Sequence, residues 1–225
     1  MNRILLVFAF CLAFVARIQA EIAPPNKVIV FDFGGVIVHS DKEKTAFYEF
    51  IQDTFHFDQT TLREIRTHFE LLSREVKISD IAFWLELAEK HRVALPSDWK
   101  ARYDAAVIES FNESKEMRDI IQFYKEKGIQ IALLSNVPAK HAAFLRAHGF
   151  YDDFSPVLLS CDIGVSKPDP RSFQILLSEI NRSPEDCIFI DDKKDNIDAA
   201  KALGIDAIQF FSAEQVGEEL KARFK

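Results

Sequence analysis

An apolar run, Val28-Ile29-Val30-Phe31, stops at one carboxylate, Asp32, and Phe33 and the pair Gly34-Gly35 follow at once. Unbroken apolar residues over this length read as a buried parallel strand, and two glycines let the backbone close around whatever the carboxylate meets. Three more apolar runs lead to polar groups in the same way. Residues 129–134 stop at Ser135-Asn136, residues 157–159 lead into a loop carrying Lys167, and residues 187–190 stop at Asp191-Asp192. Carboxylates, a hydroxyl and an ammonium can attack, bind a cation or hold an anion. Each also has a plain structural reading: Asp before Gly-Gly forms turns, Ser135 can cap a helix, Lys167 before Pro168 can be a loop lysine, and Asp191-Asp192 can be a solvated turn. Convergence decides between them. Ligands bind at the carboxyl edge of open α/β sheets, and turn formation alone does not bring Asp32, Ser135, Lys167, Asp191 and Asp192 to that edge together.

The elements that must hold these groups follow from the apolar periods. After the Asp32 turn, residues 41 to 127 read almost wholly as helix, with Phe47, Phe50, Ile51 and Phe55 on one helical stripe and Leu62, Ile65, Phe69 and Leu72 on the next. Ile81, Phe83, Trp84, Leu85 and Leu87 continue the pattern to Leu95-Pro96, and residues 99–108 form another helix closed by polar residues 110–113. Such stripes are most simply the core of a helical lobe, and its place after the first strand makes it a candidate lid. From Ser114 helices and strands alternate: a helix through Met117, Ile120, Ile121 and Tyr124 to Gly128, a strand over 129–134, a helix opened by Pro138 and ended by Gly149, a short strand over 157–159, a helix begun by Pro170, a strand over 187–190, a helix stopped by Gly204, a strand over 207–211 and a terminal helix. Alternation of this kind means a parallel sheet with right-handed crossovers, an α/β Rossmann-like, doubly wound fold.

Composition bounds the partners. Hydrophobic residues make up 48% and charged residues 28% of 225, so the chain can bury a real core. The net charge of −7 and the lack of any basic run argue against nucleic acid. A small anionic substrate would need local positive charge, from a lysine or a metal ion, to offset that field. Residues 1–20 read separately: Arg3 precedes an apolar stretch over 4–16 too short to cross a bilayer, and Ala20 precedes Glu21-Ile22-Ala23-Pro24-Pro25. This is the pattern of an export signal, leaving a periplasmic or secreted protein with no stable membrane insertion. Arg17 near the cleavage side keeps an anchor through residues 4–16 as the alternative.

Asp32-Phe33-Gly34-Gly35-Val36, then Leu133-Leu134-Ser135-Asn136, then Lys167-Pro168-Asp169-Pro170, then Ile190-Asp191-Asp192 with Asp195-Asn196, resemble in order and spacing the four signatures of the haloacid dehalogenase-like hydrolases. The likeness runs from Lys27 to Phe211. It implies a core from residues 27–40 and 114–225, strand order 5-4-1-2-3 by position in the chain, and a helical cap over 41–113. It also implies a phosphomonoester phosphatase acting on a small phosphorylated metabolite through an aspartyl-phosphate on Asp32. Mg²⁺ would be held by Asp32, the Gly34 backbone carbonyl and Asp191, with Asp192 a further ligand through water or an orienting group. Lys167 would touch both Asp32 and the phosphoryl group; Gly35, Ser135, Asn136 and Lys167 would bind the substrate. Specificity would lie in the cap, where Phe47, Glu70, Arg74 and Trp84 are candidates.

One position departs from the family pattern. Its phosphatases usually carry a second Asp two residues after the nucleophile as general acid and base, and here that residue is Gly34. The imidazole of His39 is a side-chain type suited to proton transfer, although a loop position with no catalytic part is its simpler reading. Two alternatives stay open: a haloacid dehalogenase-type hydrolase, against which the pair Asp191-Asp192 argues, and a non-catalytic phosphate-ligand or partner-binding protein, which Gly34 keeps alive. The implied strand order also separates Cys161 from Cys187, so both are expected as free thiols.

Overall fold

Val28–Phe31 forms the central strand, β1, of a five-stranded parallel sheet in a computed structural model that describes residues 27–39, 46–57, 60–65, 80–109 and 111–224. Short strands β2 (Val38–His39) and β3 (Asn112–Glu113) follow, then β4 (Gln130–Ser135), β5 (Val157–Leu159), β6 (Cys187–Asp191) and β7 (Asp206–Gln209). The large sheet runs β5-β4-β1-β6-β7. With the two short strands set aside this is the expected order. β1 lies level with both neighbours, Phe31 opposite Leu133 of β4 and Ile190 of β6, so Asp32, Ser135 and Asp191 reach one edge together.

Alternation of side chains sends each strand into two cores, which is why the runs are apolar throughout. On one face Ile29, Phe31, Ile131, Leu133, Ile188 and Ile190 pack with Met117 and Ile121 of α4 (Lys115–Glu126) and with Val216 and Leu220 of α9 (Ala213–Arg223). On the other, Val28, Val30, Ala132, Leu134 and Phe189 pack with Phe173, Leu176 and Ile180 of α7 (Pro170–Ile180) and with Ile197 and Ala200 of α8 (Lys194–Ala202).

A third core belongs to the helical lobe. Phe50, Ile51 and Phe55 of α1 (Ala46–Phe55), Leu62 and Ile65, Phe83, Trp84 and Ala88 of α2 (Asp80–His91), and Trp99, Tyr103, Ala106 and Val107 of α3 (Trp99–Glu109) bury one another. Trp84 is completely buried and meets Phe47, Phe50, Phe55, Phe83 and Tyr103. It is therefore part of that core and not a face offered to substrate; Phe47 packs against it, and Glu70 and Arg74 lie outside the described residues. So do residues 1–20, where an export signal is expected. No described helix is long and apolar enough to cross a membrane.

The lobe leaves and re-enters the sheet through an antiparallel ribbon absent from the sequence reading, in which Val38 pairs with Glu113 and His39 with Asn112. Strands of two residues carry no readable period. His39 thus lies in a strand, its ring stacked on Phe210 at 5.4 Å, and not in a loop. Lobe and core also meet where α3 faces α5 (Ala139–Ala147): the Tyr103 hydroxyl and His141 Nε2 are 3.2 Å apart, and Lys140 pairs with Asp104. The fifth sheet strand ends at Gln209, short of the expected 211, because Ser212 and Gln215 form a capping box that opens α9. Cys187 begins β6, Cys161 sits in the short helix α6 (Ser160–Ile163), and both are free thiols.

Candidate active site

Asp32 leaves β1 with its backbone N–H donating to the Ile190 carbonyl at 2.8 Å, which ties the first strand end to the fourth. The following turn wraps on itself: Ile37 and Val38 donate to the Phe33 carbonyl at 2.9 and 3.0 Å, and Gly35 donates to the Val38 carbonyl at 2.8 Å. Gly35 has φ +87°, and a Cβ built there would lie 2.7 Å from Asp192 Cγ. A side chain is excluded twice over, by backbone conformation and by the carboxylate beside it. Gly34 is the opposite case, exposed and with no atom of the described residues within 4 Å of a Cβ placed on it.

Lys167 is the hub. It is 1% exposed, and its Nζ stands 2.9 Å from Asp32 Oδ1 and 2.6 Å from Asp191 Oδ2, lying over the Phe189 ring at 5.1 Å. Asn136, just past β4, holds the loop that delivers it: its amide donates to the Lys167 carbonyl at 2.8 Å and accepts from the Lys167 backbone N–H at 2.9 Å. That side chain positions the lysine. Ser135 is buried at the end of β4, and the loop after it is pinned by Ser160, whose hydroxyl accepts from Val137 N–H at 3.0 Å. Ser160 went unnoticed in the sequence because its partner lies 23 residues away.

Asp191 is held on every side. Lys193 N–H donates to Oδ1 at 2.8 Å, Asn196 Nδ2 donates to Oδ1 and Oδ2 at 3.0 and 2.9 Å, and Lys167 takes Oδ2. Asn196 is part of the fourth signature, but only the fold shows that the first turn of α8 aims it back at the strand end. Asp192 differs: its Oδ1 is buried with no hydrogen-bond partner among the described residues. Oxygens of Asp32, Asp191 and Asp192 lie within 4.8 Å of one another.

Three carboxylates here share one ammonium. Burial, followed by the charges of Asp191 and Asp192, outweighs the pull of Lys167 and lifts the Asp32 carboxyl to about 6. Asp192 is raised by burial and by Asp191. For Lys167 burial acts downward, but Asp191 and Asp32 outweigh it and raise the pKa. The directions agree: the lysine has more opposite charge than it needs, and Asp32 and Asp192 have too little. If all four groups are ionised the cluster carries −2, which one divalent cation cancels. The orphaned Asp192 oxygen, the all-oxygen donor set and this imbalance fit a hard cation such as Mg²⁺.

A family model for the haloacid dehalogenase-like hydrolases matches residues 26–204, and the chain belongs to that family. Among relatives, a D-ribitol-5-phosphate phosphatase of Bacteroides thetaiotaomicron is 28% identical over 191 residues, 81% of this chain and 91% of its own. A phosphorylated carbohydrates phosphatase of Thermotoga maritima is 30% identical over 101 residues, 44% of this chain and 47% of its own. Acyl-CoA dehydrogenase family member 10 of Mus musculus is 35% identical over 108 residues, 47% of this chain and 10% of its own. The chain thus spans half or less of the length of these last two relatives. In structure it is similar to a family enzyme of Bacteroides thetaiotaomicron, with TM-score 0.71 and 22% identity over 86% of this chain and 98% of that one. The wild-type protein solved there with magnesium and inorganic phosphate gives TM-score 0.65 and 23% identity over 81% and 93%. These structural likenesses speak for the fold.

Proposed function

We propose that the chain is a Mg²⁺-dependent phosphatase that hydrolyses a small phosphorylated metabolite through an aspartyl-phosphate on Asp32. The observation that carries this reading is the buried Lys167 ammonium bridging Asp32 and Asp191 beside the unpartnered Asp192 oxygen. Phosphatase names among the relatives support the substrate class. Asp32 attacks phosphorus, and Lys167 keeps that carboxylate ionised and oriented while offering its positive charge to the phosphoryl oxygens. Ser135, the backbone of Gly35 and the loop at Asn136 line the carboxyl edge where those oxygens bind. Asp32, the Gly34 carbonyl and Asp192 would hold Mg²⁺. Asp191, with its oxygens occupied by Lys167, Asn196 and Lys193 N–H, is better suited to orienting the lysine than to a metal, which exchanges the roles read from the sequence. Bound Mg²⁺ would supply the positive charge that lets one anion approach another.

Asp32→Asn is expected to reduce aryl phosphate hydrolysis to background with the fold intact by circular dichroism, and chelator is expected to abolish wild-type turnover. A chelator-resistant enzyme that consumes a 2-haloacid would show the dehalogenase reading to be right. Export through residues 1–20 is proposed on the same footing, to be checked by the mass of the mature N-terminus.

A further inference from the structure

Two asparagines of the chain begin a triplet Asn-x-Ser with x other than proline, namely Asn112-Glu113-Ser114 and Asn181-Arg182-Ser183. That triplet is the acceptor for attachment of an oligosaccharide to the asparagine amide in an exported protein. Attachment precedes folding, so the folded structure decides whether a bulky polar group at that position is accommodated. The asparagines divide on this point. Asn136 and Asn196 begin no such triplet, and both are built into the active site, the first donating to the Lys167 carbonyl and the second, 3% exposed, donating to Asp191. Asn112 lies exposed in β3, paired through the backbone with His39 of β2 in a sheet of only those two strands. A sugar there meets water and covers an edge that no other described strand pairs with. Ser114 closes the triplet as N-cap of α4, its hydroxyl accepting from Met117 N–H at 3.2 Å, so the segment stays at the surface where ribbon passes into helix. Asn181 is exposed too, but its serine precedes Pro184, whose ring confines the Ser183 backbone and removes the next N–H. At the corresponding place after Ser114 stands Lys115, which imposes neither restriction.

We infer that Asn112 is an N-glycosylation site, modified as the chain enters a secretory lumen, and that the donor is an oligosaccharide carried on a lipid diphosphate. The inference rests on the export reading of residues 1–20, which it narrows to a compartment, and is independent of the phosphatase chemistry. In the transfer Asn112 Nδ2 bonds to the first sugar carbon as the bond from that carbon to the diphosphate oxygen breaks. The electron pair leaves with the lipid diphosphate, and the amide gives one proton to a base of the transferring enzyme.

The test expresses the full chain from Met1 in a eukaryotic secretory cell and digests the product with an amidase that removes N-linked sugar, leaving aspartate where the sugar had been. Peptide mass is expected to show that conversion at position 112. Asn112→Gln and Ser114→Ala are each expected to abolish it, whereas Ser114→Thr, which keeps both the hydroxyl and the helix cap, retains it. A chain recovered from the medium with unmodified Asn112 would overturn the inference and leave the export and phosphatase readings standing. A chain kept in the cytosol with residues 1–20 attached and Asn112 unmodified would overturn the export reading and this inference with it, while aryl phosphate hydrolysis by the same material reports separately on the phosphatase reading.

Discussion

A lysine ammonium can sit at 1% exposure only because Asp32 and Asp191 stand within 3 Å of it. Lys167→Met keeps comparable bulk and removes the charge, leaving carboxylates facing one another without compensation. Breaking a buried pair from one side costs about 3–5 kcal/mol, and the metal-free variant is expected to show that loss in urea unfolding, an unchanged midpoint contradicting the pairing. The pH dependence follows from Asp32. Its folded pKa, about 6, lies above the ordinary carboxylate value, so between the two the folded chain binds more protons than the unfolded chain. The destabilisation from this group is absent below the unfolded pKa and fully present once pH has risen past about 6. A cation needs the ionised form, so Mg²⁺ affinity should fall as pH drops through the same point. Calorimetric titration at pH 5 and pH 7.5 is expected to show binding weaker by about tenfold at the lower value, and equal affinities would rule out Asp32 as a ligand.

The decisive element is the turn after β1, because it brings the Asp32 strand end against the start of α8. Gly35 makes that approach possible, and Gly35→Ala would put a Cβ 2.7 Å from Asp192 Cγ at φ +87°. The backbone strain alone costs about 1–2 kcal/mol. Thermal stability and Mg²⁺ affinity are therefore expected to fall together in this variant, since Asp192 must move; loss of stability with intact metal binding would separate the two. The Asn136 amide acts at the same scale, joining the end of β4 to the loop before α7 across 31 residues. Its presence is plain in the sequence, but its partner is not, because a hydrogen bond between loops leaves no period.

At the scale of the whole molecule the chain holds two cores on the sheet and one in the helical lobe, linked by the β2–β3 ribbon and the α3–α5 seam. Trp84→Ala empties the centre of the lobe and should cost about 3–5 kcal/mol. Hydrogen exchange is expected to speed up in α1, α2 and α3 while β1, β4 and β6 stay protected; uniform loss would mean the cores unfold as one. The parallel sheet and the edge carrying Asp32, Ser135, Lys167 and Asp191-Asp192 could be read from the chain, because strands buried on both faces leave unbroken apolar runs and parallel crossovers place their carboxyl ends on one side; the strand order came only with the resemblance to the family. Which carboxylate takes the lysine and which keeps a bare oxygen, and whether Trp84 faces substrate or core, belonged to the tertiary structure alone. Those outcomes depend on contacts between residues far apart in sequence, such as Lys167 with Asp32 and Asp191, and such pairings come from the assembled register and not from local pattern.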